Sequence, residues 1–196
     1  MTTEPWKDVR PLRPSAGEAN GDLRPALAEL PHDDTVYLTL GTVPNGSADV
    51  FRSVLDGCSQ LRVNVVMTTG PKSDPDTVAG GRRAILARSF VAQASVMPYC
   101  RAVVSHAGAG TMLGALCHGL PQLCLPQSTD QPLNTAALVP TGAALALPRH
   151  EITPDAVADS LRRLLDDPSY AVNAGVLRDR IGAMPSPDQV LVDLLA

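Results

Sequence analysis

The chain is expected to fold as an α/β domain, a parallel sheet with helices on both faces. Two patterns predict it. Short, wholly apolar runs alternate with longer segments of helical spacing, which is how strands buried on both faces read beside their crossover helices. One of those runs, Ala102-Val103-Val104-Ser105, passes through His106-Ala107-Gly108-Ala109-Gly110-Thr111 into the apolar-periodic Met112-Leu113-Gly114-Ala115-Leu116. That is strand, tight glycine turn and helix, the Rossmann-like unit in which a helix N-terminus offers free N–H groups to an anion.

Taken in order, Thr35 to Leu40 is a strand ended by Gly41. Ala48 to Cys58 is a helix through Val50, Phe51, Val54 and Leu55. Val63 to Met67 is a strand, and 69–81 a polar loop bearing Gly and Pro. Ala84 to Phe90 is a weaker strand interrupted by Arg88, and Ala94 to Tyr99 a short helical segment. The strand at 102–105 leads into a helix from about Gly110 to His118, stopped by Gly119-Leu120-Pro121. Gln122 to Leu125 is a strand, Pro132 to Leu138 a helix, and Ala143 to Leu147 the last strand. Thr153 caps a helix that has Pro154 at its first position and runs to Leu165. Pro168 to Gly182 and Pro187 to Leu195 are helical. Residues 1–34, rich in Pro, Arg, Asp and Gly, read as a linker or arm, which leaves 35–196 as the folded domain.

Composition narrows the function. A length of 196 residues suits one domain with a tail. Aromatic residues make up 3%, so the core is built from Val, Leu, Ala and Met. A net charge of −4 speaks against a nucleic-acid surface. No apolar run approaches the roughly 18 residues of a membrane span. The first residues lack a basic region followed by an apolar core, so no signal peptide is expected and the location is cytoplasmic. Cys58, Cys100, Cys117 and Cys124 form no C-x-x-C pair and are expected as free thiols. Zinc held by Cys100, His106, Cys117, His118 and Cys124 is not expected, because their spacings are irregular.

In parallel sheets ligands gather at the carboxyl ends of the strands, so the turns at 41–46 and 106–111 can meet there. Gly41 admits a close backbone approach, and the Thr42 hydroxyl can donate to a phosphate. The stretch from His106 to Thr111 is no Walker loop, since no Gly-Lys-Ser/Thr follows. Gly108 and Gly110 have G-x-G spacing, but the next glycine, Gly114, comes one position late for a dinucleotide fingerprint. Asp130 and Gln131 can grip vicinal hydroxyls of a sugar; alternatively Asp130 or Thr129 caps the helix that follows.

Several motifs appear in order: Val36 to Thr42, Phe90-Val91-Ala92-Gln93, His106 to Thr111, Gly119-Leu120-Pro121, Asp130-Gln131 with Asn134, and Gly142-Ala143-Ala144. Together, over about residues 35–195, they resemble the nucleotide-sugar glycosyltransferases of family 1. Closest are the bacterial enzymes that decorate macrolides, enediynes and aromatic polyketides. The resemblance implies the C-terminal, donor-binding half of a GT-B fold.

It further implies that His106 and the backbone at Gly108, Gly110 and Thr111 hold a donor diphosphate, with Thr42 reaching a phosphate. Phe90 lies where plant relatives place a Trp against the base, and the Val91 backbone reads the base edge. Asp130 and Gln131 contact the transferred sugar. The reaction implied is inverting transfer to a hydroxyl of a natural-product acceptor, with fixed N–H dipoles and His106 stabilising the leaving group and no metal or other cofactor. The sequence departs from the family at Gly114, where plant enzymes and some bacterial users of UDP-glucose carry a Glu on the ribose. That tilts the donor from UDP-sugar towards a TDP-deoxysugar. It departs again where Phe90-Val91-Ala92-Gln93 replaces Trp-x-Pro-Gln.

The acceptor half and its catalytic base have no counterpart, and no catalytic residue is assigned. His32 and His150 lie outside the motifs, and His118 reads as a helix-end residue. Val9 to Pro14 resembles the link between the two halves, as though the chain were cut just before the donor domain. An N-terminal acceptor-binding domain or partner subunit is therefore expected, as in split eukaryotic glycosyltransferases of this architecture, and the face that meets it should be apolar or mobile and prone to self-association. The other readings are a non-catalytic nucleotide-sugar binding or regulatory module, and a sugar-nucleotide epimerase whose acid and base residues are not found.

Overall fold

The computed structural model describes residues 22–41, 47–71 and 73–195. Six parallel strands form one sheet: β1 (Asp34–Thr39), β2 (Val63–Thr68), β3 (Ile85–Arg88), β4 (Ala102–Ser105), β5 (Gln122–Cys124) and β6 (Ala144–Ala146). Nine helices accompany them among the described residues: α1 (Arg24–Ala28), α2 (Ser47–Cys58), α3 (Pro75–Ala79), α4 (Gln93–Val96), α5 (Ala109–Cys117), α6 (Gln131–Leu138), α7 (Pro154–Asp166), α8 (Pro168–Gly182) and α9 (Pro187–Leu195). The strand order is β3-β2-β1-β4-β5-β6. The chain therefore winds outward from β1 in one direction, then returns to β4 and winds in the other. The crevice of such a doubly wound sheet opens between β1 and β4.

The central strands are buried on both faces, which explains why apolar residues run consecutively through their middles instead of alternating. On one face Val36, Leu38, Val65, Met67 and Val104 pack with Val54 and Leu55 of α2 and with Val157, Leu161 and Leu164 of α7. On the other, Tyr37, Val66 and Val103 pack with Val96, Met97 and Ala115. Beyond them Leu116, Cys124, Leu138, Ala144, Ala174 and Ile181 close the β5–β6 end.

Most expected boundaries hold, because the sequence punctuates them. The Thr153 hydroxyl accepts from Ala156 N at 3.2 Å and starts α7, and α8 and α9 begin at their prolines. Two short helices depart from the expectation. α3 lies inside the stretch read as a loop, capped by the Asp74 carboxylate on Thr77 N, with Pro75 at its start. The arm also differs over its last residues. α1 is helical, and Leu23, Ala26, Leu27 and Leu30 lean on the second core cluster. Asn64 ties this segment to β2: its Oδ1 accepts from His32 N at 3.1 Å and its Nδ2 donates to the His32 carbonyl at 2.5 Å. The linker-like Val9 to Pro14 lies outside the described residues.

Among the described residues no helix is long and apolar enough to cross a membrane. None of the four cysteines is in a disulfide.

The α2–α7 contact depends on a glycine. A methyl on Gly57 would lie 2.6 Å from the Pro154 carbonyl oxygen and 2.9 Å from Val157. Helix propensity alone favours Ala over Gly by about 1 kcal/mol, but a collision with backbone outweighs it. Gly57→Ala is expected to destabilise by about 1–3 kcal/mol, the usual scale of overpacking. Urea denaturation checks this; a variant as stable as the parent would show that α7 can yield.

Candidate functional site

The register places the site. Thr39 pairs with Ser105, so the residues after β1 and those after β4 leave the sheet side by side. Gly41 turns with φ of +72° and Ala107 with φ of +62°. A positive φ on a buried alanine costs about 1–3 kcal/mol and persists only when its surroundings hold it. They do: the Ser105 hydroxyl accepts from Ala107 N at 3.1 Å, and Asn134 Nδ2 donates to the Ala107 carbonyl at 3.0 Å.

The His106 imidazole fits between the two turns. A methyl on Gly41 would sit 2.8 Å from its Cε1, and one on Gly108 would overlap its Nε2. Both glycines therefore make room for the ring, which the G-x-G reading of the sequence did not anticipate. Its Nδ1 is buried with no hydrogen-bond partner among the described residues. Burial pushes the His106 pKa below its usual value, opposed more weakly by the Thr39 backbone and the Asp130 charge. The ring is thus mostly neutral at pH 7.

α5 begins beside it. Gly108 is its N-cap and supplies no side-chain cap, so the first-turn N–H groups and the positive helix end face the turn mouth. A methyl on Gly110 would meet no atom within 4 Å, so packing does not require a glycine there. Thr111 is buried, and its Oγ accepts from Gln93 Nε2 at 2.8 Å, which leaves the hydroxyl proton for another acceptor.

The third wall is the loop after β5. Gln131 is 3% exposed, and its Oε1 accepts from Gln127 N at 2.8 Å and Ser128 N at 3.0 Å, winding the loop onto its own helix. Thr129 takes a φ of +59°. Asp130 stands at the N-cap of α6, yet its carboxylate makes no capping bond. Instead Asn134 Nδ2 donates to Oδ2 at 2.8 Å, and the Thr129 hydroxyl lies 3.0 Å from Oδ1. These two donors, Asn134 foremost, hold the Asp130 pKa below the usual carboxylate value, and His106 lowers it further. The carboxylate is thereby kept ionised and exposed.

Phe90 follows β3 and is 74% exposed, while Val91 beside it is buried among Val96 and Met97. Gly114 lies behind the turn, where a methyl would come 3.4 Å from Gln93 Oε1 and 3.5 Å from Met97. Thr42 lies outside the described residues. The structure thus gathers Gly41, His106, Gly108, Gly110 and Thr111 at the switch point, with Asp130 linked to them through Asn134. Gln131 supports the loop, its remaining polar atom being Nε2. Gln93, quoted in the sequence only as the end of the Phe90-Val91-Ala92-Gln93 motif, and Ser105 were given no role there, because neither residue type signals a hydrogen bond to a turn by itself.

The remaining histidines are elsewhere. His118 Nδ1 is 2.9 Å from the Gly114 carbonyl at the end of α5, and the exposed His150 lies beside Glu151. Among the described residues no three His, Cys, Asp or Glu side chains cluster as a metal site needs.

The family profile described as "Erythromycin biosynthesis protein CIII-like, C-terminal domain" matches residues 52–196. The 10-deoxymethynolide desosaminyltransferase of Streptomyces venezuelae is 31% identical over 172 residues, which are 86% of this chain and 40% of that protein. The 3-alpha-mycarosylerythronolide B desosaminyl transferase of Saccharopolyspora erythraea is 39% identical over 102 residues, 52% of this chain and 24% of that one. The crystal structure of the glycosyltransferase VinC in complex with dTDP is similar with a TM-score of 0.76 at 28% identity, covering 93% of this chain and 45% of that one. The chain spans less than half the length of each.

The two glycines of the turn make opposite demands. Gly108 has φ of −64° and ψ of 140°, a conformation that Ala adopts freely. Gly108→Ala is therefore expected to keep the fold but push the His106 ring outward, so that its pKa climbs back towards the ordinary value of about 6.5. Gly110→Ala should leave that titration unmoved. NMR titration of the His106 Cε1–H resonance distinguishes them; equal behaviour of the two variants would contradict the packing.

Proposed function

We propose that this chain, which belongs to the family of the erythromycin biosynthesis protein CIII-like C-terminal domain, is the donor-binding half of an inverting glycosyltransferase. The carrying observation is the convergence at one switch point of an uncapped helix N-terminus, a half-buried imidazole whose pKa is lowered by desolvation, and an exposed carboxylate held ionised. The first two suit a diphosphate. The third suits the hydroxyls of the sugar attached to it.

His106 and the backbone from Gly108 to Thr111 bind the diphosphate, the Thr111 hydroxyl donates to it, and Thr42 reaches a phosphate from the first turn. Phe90 stacks on the base and the Val91 backbone reads its edge. Asp130, with Gln131 through its Nε2, grips the sugar. The donor is a TDP-deoxysugar in preference to a UDP-sugar. Gly114 supplies no carboxylate for a ribose 2′-hydroxyl. The names of the relatives, two desosaminyl transferases and a glycosyltransferase solved with dTDP, support the same donor class and an acceptor hydroxyl on a natural product. They also favour a transferase over a non-catalytic module.

Transfer proceeds by attack of that hydroxyl on the anomeric carbon as the bond to the diphosphate breaks. Charge develops on the leaving oxygen, where the fixed N–H dipoles of α5 and His106 stabilise it without a metal. The base that removes the acceptor proton comes from an N-terminal acceptor-binding domain or subunit. The reaction is cytoplasmic.

Calorimetric titration of TDP and UDP into the chain tests the reading. TDP is expected to bind, and more tightly than UDP; binding of neither up to millimolar concentration would overturn it. His106→Ala is expected to weaken TDP by about 1–3 kcal/mol, the scale of a hydrogen bond to a charged group.

A pH dependence follows with a definite sign. His106 is neutral in the free protein, and a bound diphosphate favours its protonated form, which raises its pKa in the complex. TDP affinity should therefore rise as pH falls from roughly 8 to 6.5, with proton uptake on binding. His106→Gln should flatten that slope; a slope that persists in the variant would assign the proton to another group.

A further inference from the structure

Among the described residues only two non-glycine residues have positive φ, Ala107 at +62° and Thr129 at +59°. They lie in different turns, one after β4 and one after β5, and they flank the diphosphate and sugar ends of the same crevice. One side chain joins them. Asn134 Nδ2 donates to the carbonyl of Ala107 at 3.0 Å and to Oδ2 of Asp130 at 2.8 Å, and the same carboxylate lies 3.0 Å from the Thr129 hydroxyl. An amide nitrogen carries two hydrogens, so both are committed. Asn134 sits one helical turn beyond Asp130, and its backbone N–H donates to the Asp130 carbonyl at 3.0 Å, so helix α6 itself fixes the reach of the side chain.

We infer that Asn134 is a positioning residue that fixes the sugar-binding carboxylate relative to the diphosphate turn, so that the two ends of one donor are read as a unit. This rests on the donor-site reading above. Each carboxylate oxygen is occupied once, Oδ2 by Asn134 and Oδ1 by Thr129, and each keeps a lone pair for a sugar hydroxyl. Asn134 is also the foremost cause of the lowered Asp130 pKa. Removing it therefore frees the carboxylate to turn and to take up a proton at higher pH. It also strips a donor from a carbonyl whose residue is fully buried.

The test compares TDP with TDP-6-deoxyglucose, both titrated into the full chain. In the wild type the sugar nucleotide should bind more tightly than TDP, and the ratio of the two dissociation constants reports the sugar contact. In Asn134→Ala that ratio is expected to fall by about tenfold, as it does in Asp130→Ala, with TDP changed far less. The double variant should lose no more than Asp130→Ala alone, since both changes act on one contact.

A second readout is the pH at which the sugar contribution is half lost. The depressed Asp130 pKa keeps the contact as pH falls, so Asn134→Ala should lose it at a higher pH than the wild type does. Asn134→Leu, of similar size, uncharged and unable to donate, should match the alanine variant and shows that lost volume is not the cause. An unchanged ratio and pH profile in Asn134→Ala, or a loss that adds to that of Asp130→Ala, would overturn the positioning role and leave the donor site standing. Failure of TDP to bind the wild type would remove the donor site itself.

Discussion

The structure turns on the register between β1 and β4. Because Thr39 sits opposite Ser105, the two chains leave the sheet together, and the His106 ring has space only where Gly41 and Gly108 lack side chains. The glycines are thus first a mould for an imidazole and second an opening for a ligand. Gly110 shows the contrast, since nothing packs where its side chain would be. Two glycines two residues apart in one motif have different physical causes.

That mould also sets the electrostatics. A histidine pressed between two turns is desolvated and resists a proton, whereas Asp130, open to solvent and holding two donors, resists losing its charge. The pair is polarised in opposite senses, and each still feels the other. On the proposed reading, an arriving diphosphate would meet a neutral donor ring beside positive helix dipoles and no buried unpaired charge that needs compensation. The carboxylate lies towards the far end of the ligand, where neutral hydroxyls can donate to it without like-charge contact.

Much of this was legible in the residue order. Gly119-Leu120-Pro121 marks the end of α5, Thr153-Pro154 the start of α7, and the apolar runs give all six strands within a residue or two. β3 was read too long because the apolar Phe90 stands beyond the last paired residue, Arg88. Short helices escaped: α1 and α3 each span five residues, too few to show a period. In the site, His106, Gly108 and Asp130 were visible as types in sequence order. The Asp130 cap was a fair alternative from its position before Pro132, but Gln131 folds back and Asn134 draws the carboxylate away from the helix end. Asn134 reaches a carbonyl 27 residues away in the chain, and the commitment of the Gln131 amide oxygen depends on the wound loop. Both are consequences of tertiary packing that no local spacing encodes.

What this half can do by itself follows from which surfaces are covered. The leaving-group end is lined by α5, His106 and the wound β5–α6 loop, all anchored to buried strands. The sugar end is not enclosed: Asp130 is exposed, Leu133 next to it on α6 is 75% exposed, and Phe90 stands out beyond β3. Fixed dipoles stabilise developing charge most strongly where water is excluded. A donor held here would have its diphosphate against protein and its sugar towards solvent, where water competes with an acceptor hydroxyl for the anomeric carbon. On the proposed reading, productive transfer would need a second surface to close over Phe90, Leu133 and Asp130. Under the proposed donor role that surface would also bring the acceptor and the base, since among the described residues His118 is tied to the end of α5 and His106 is enclosed by the glycines that seat it.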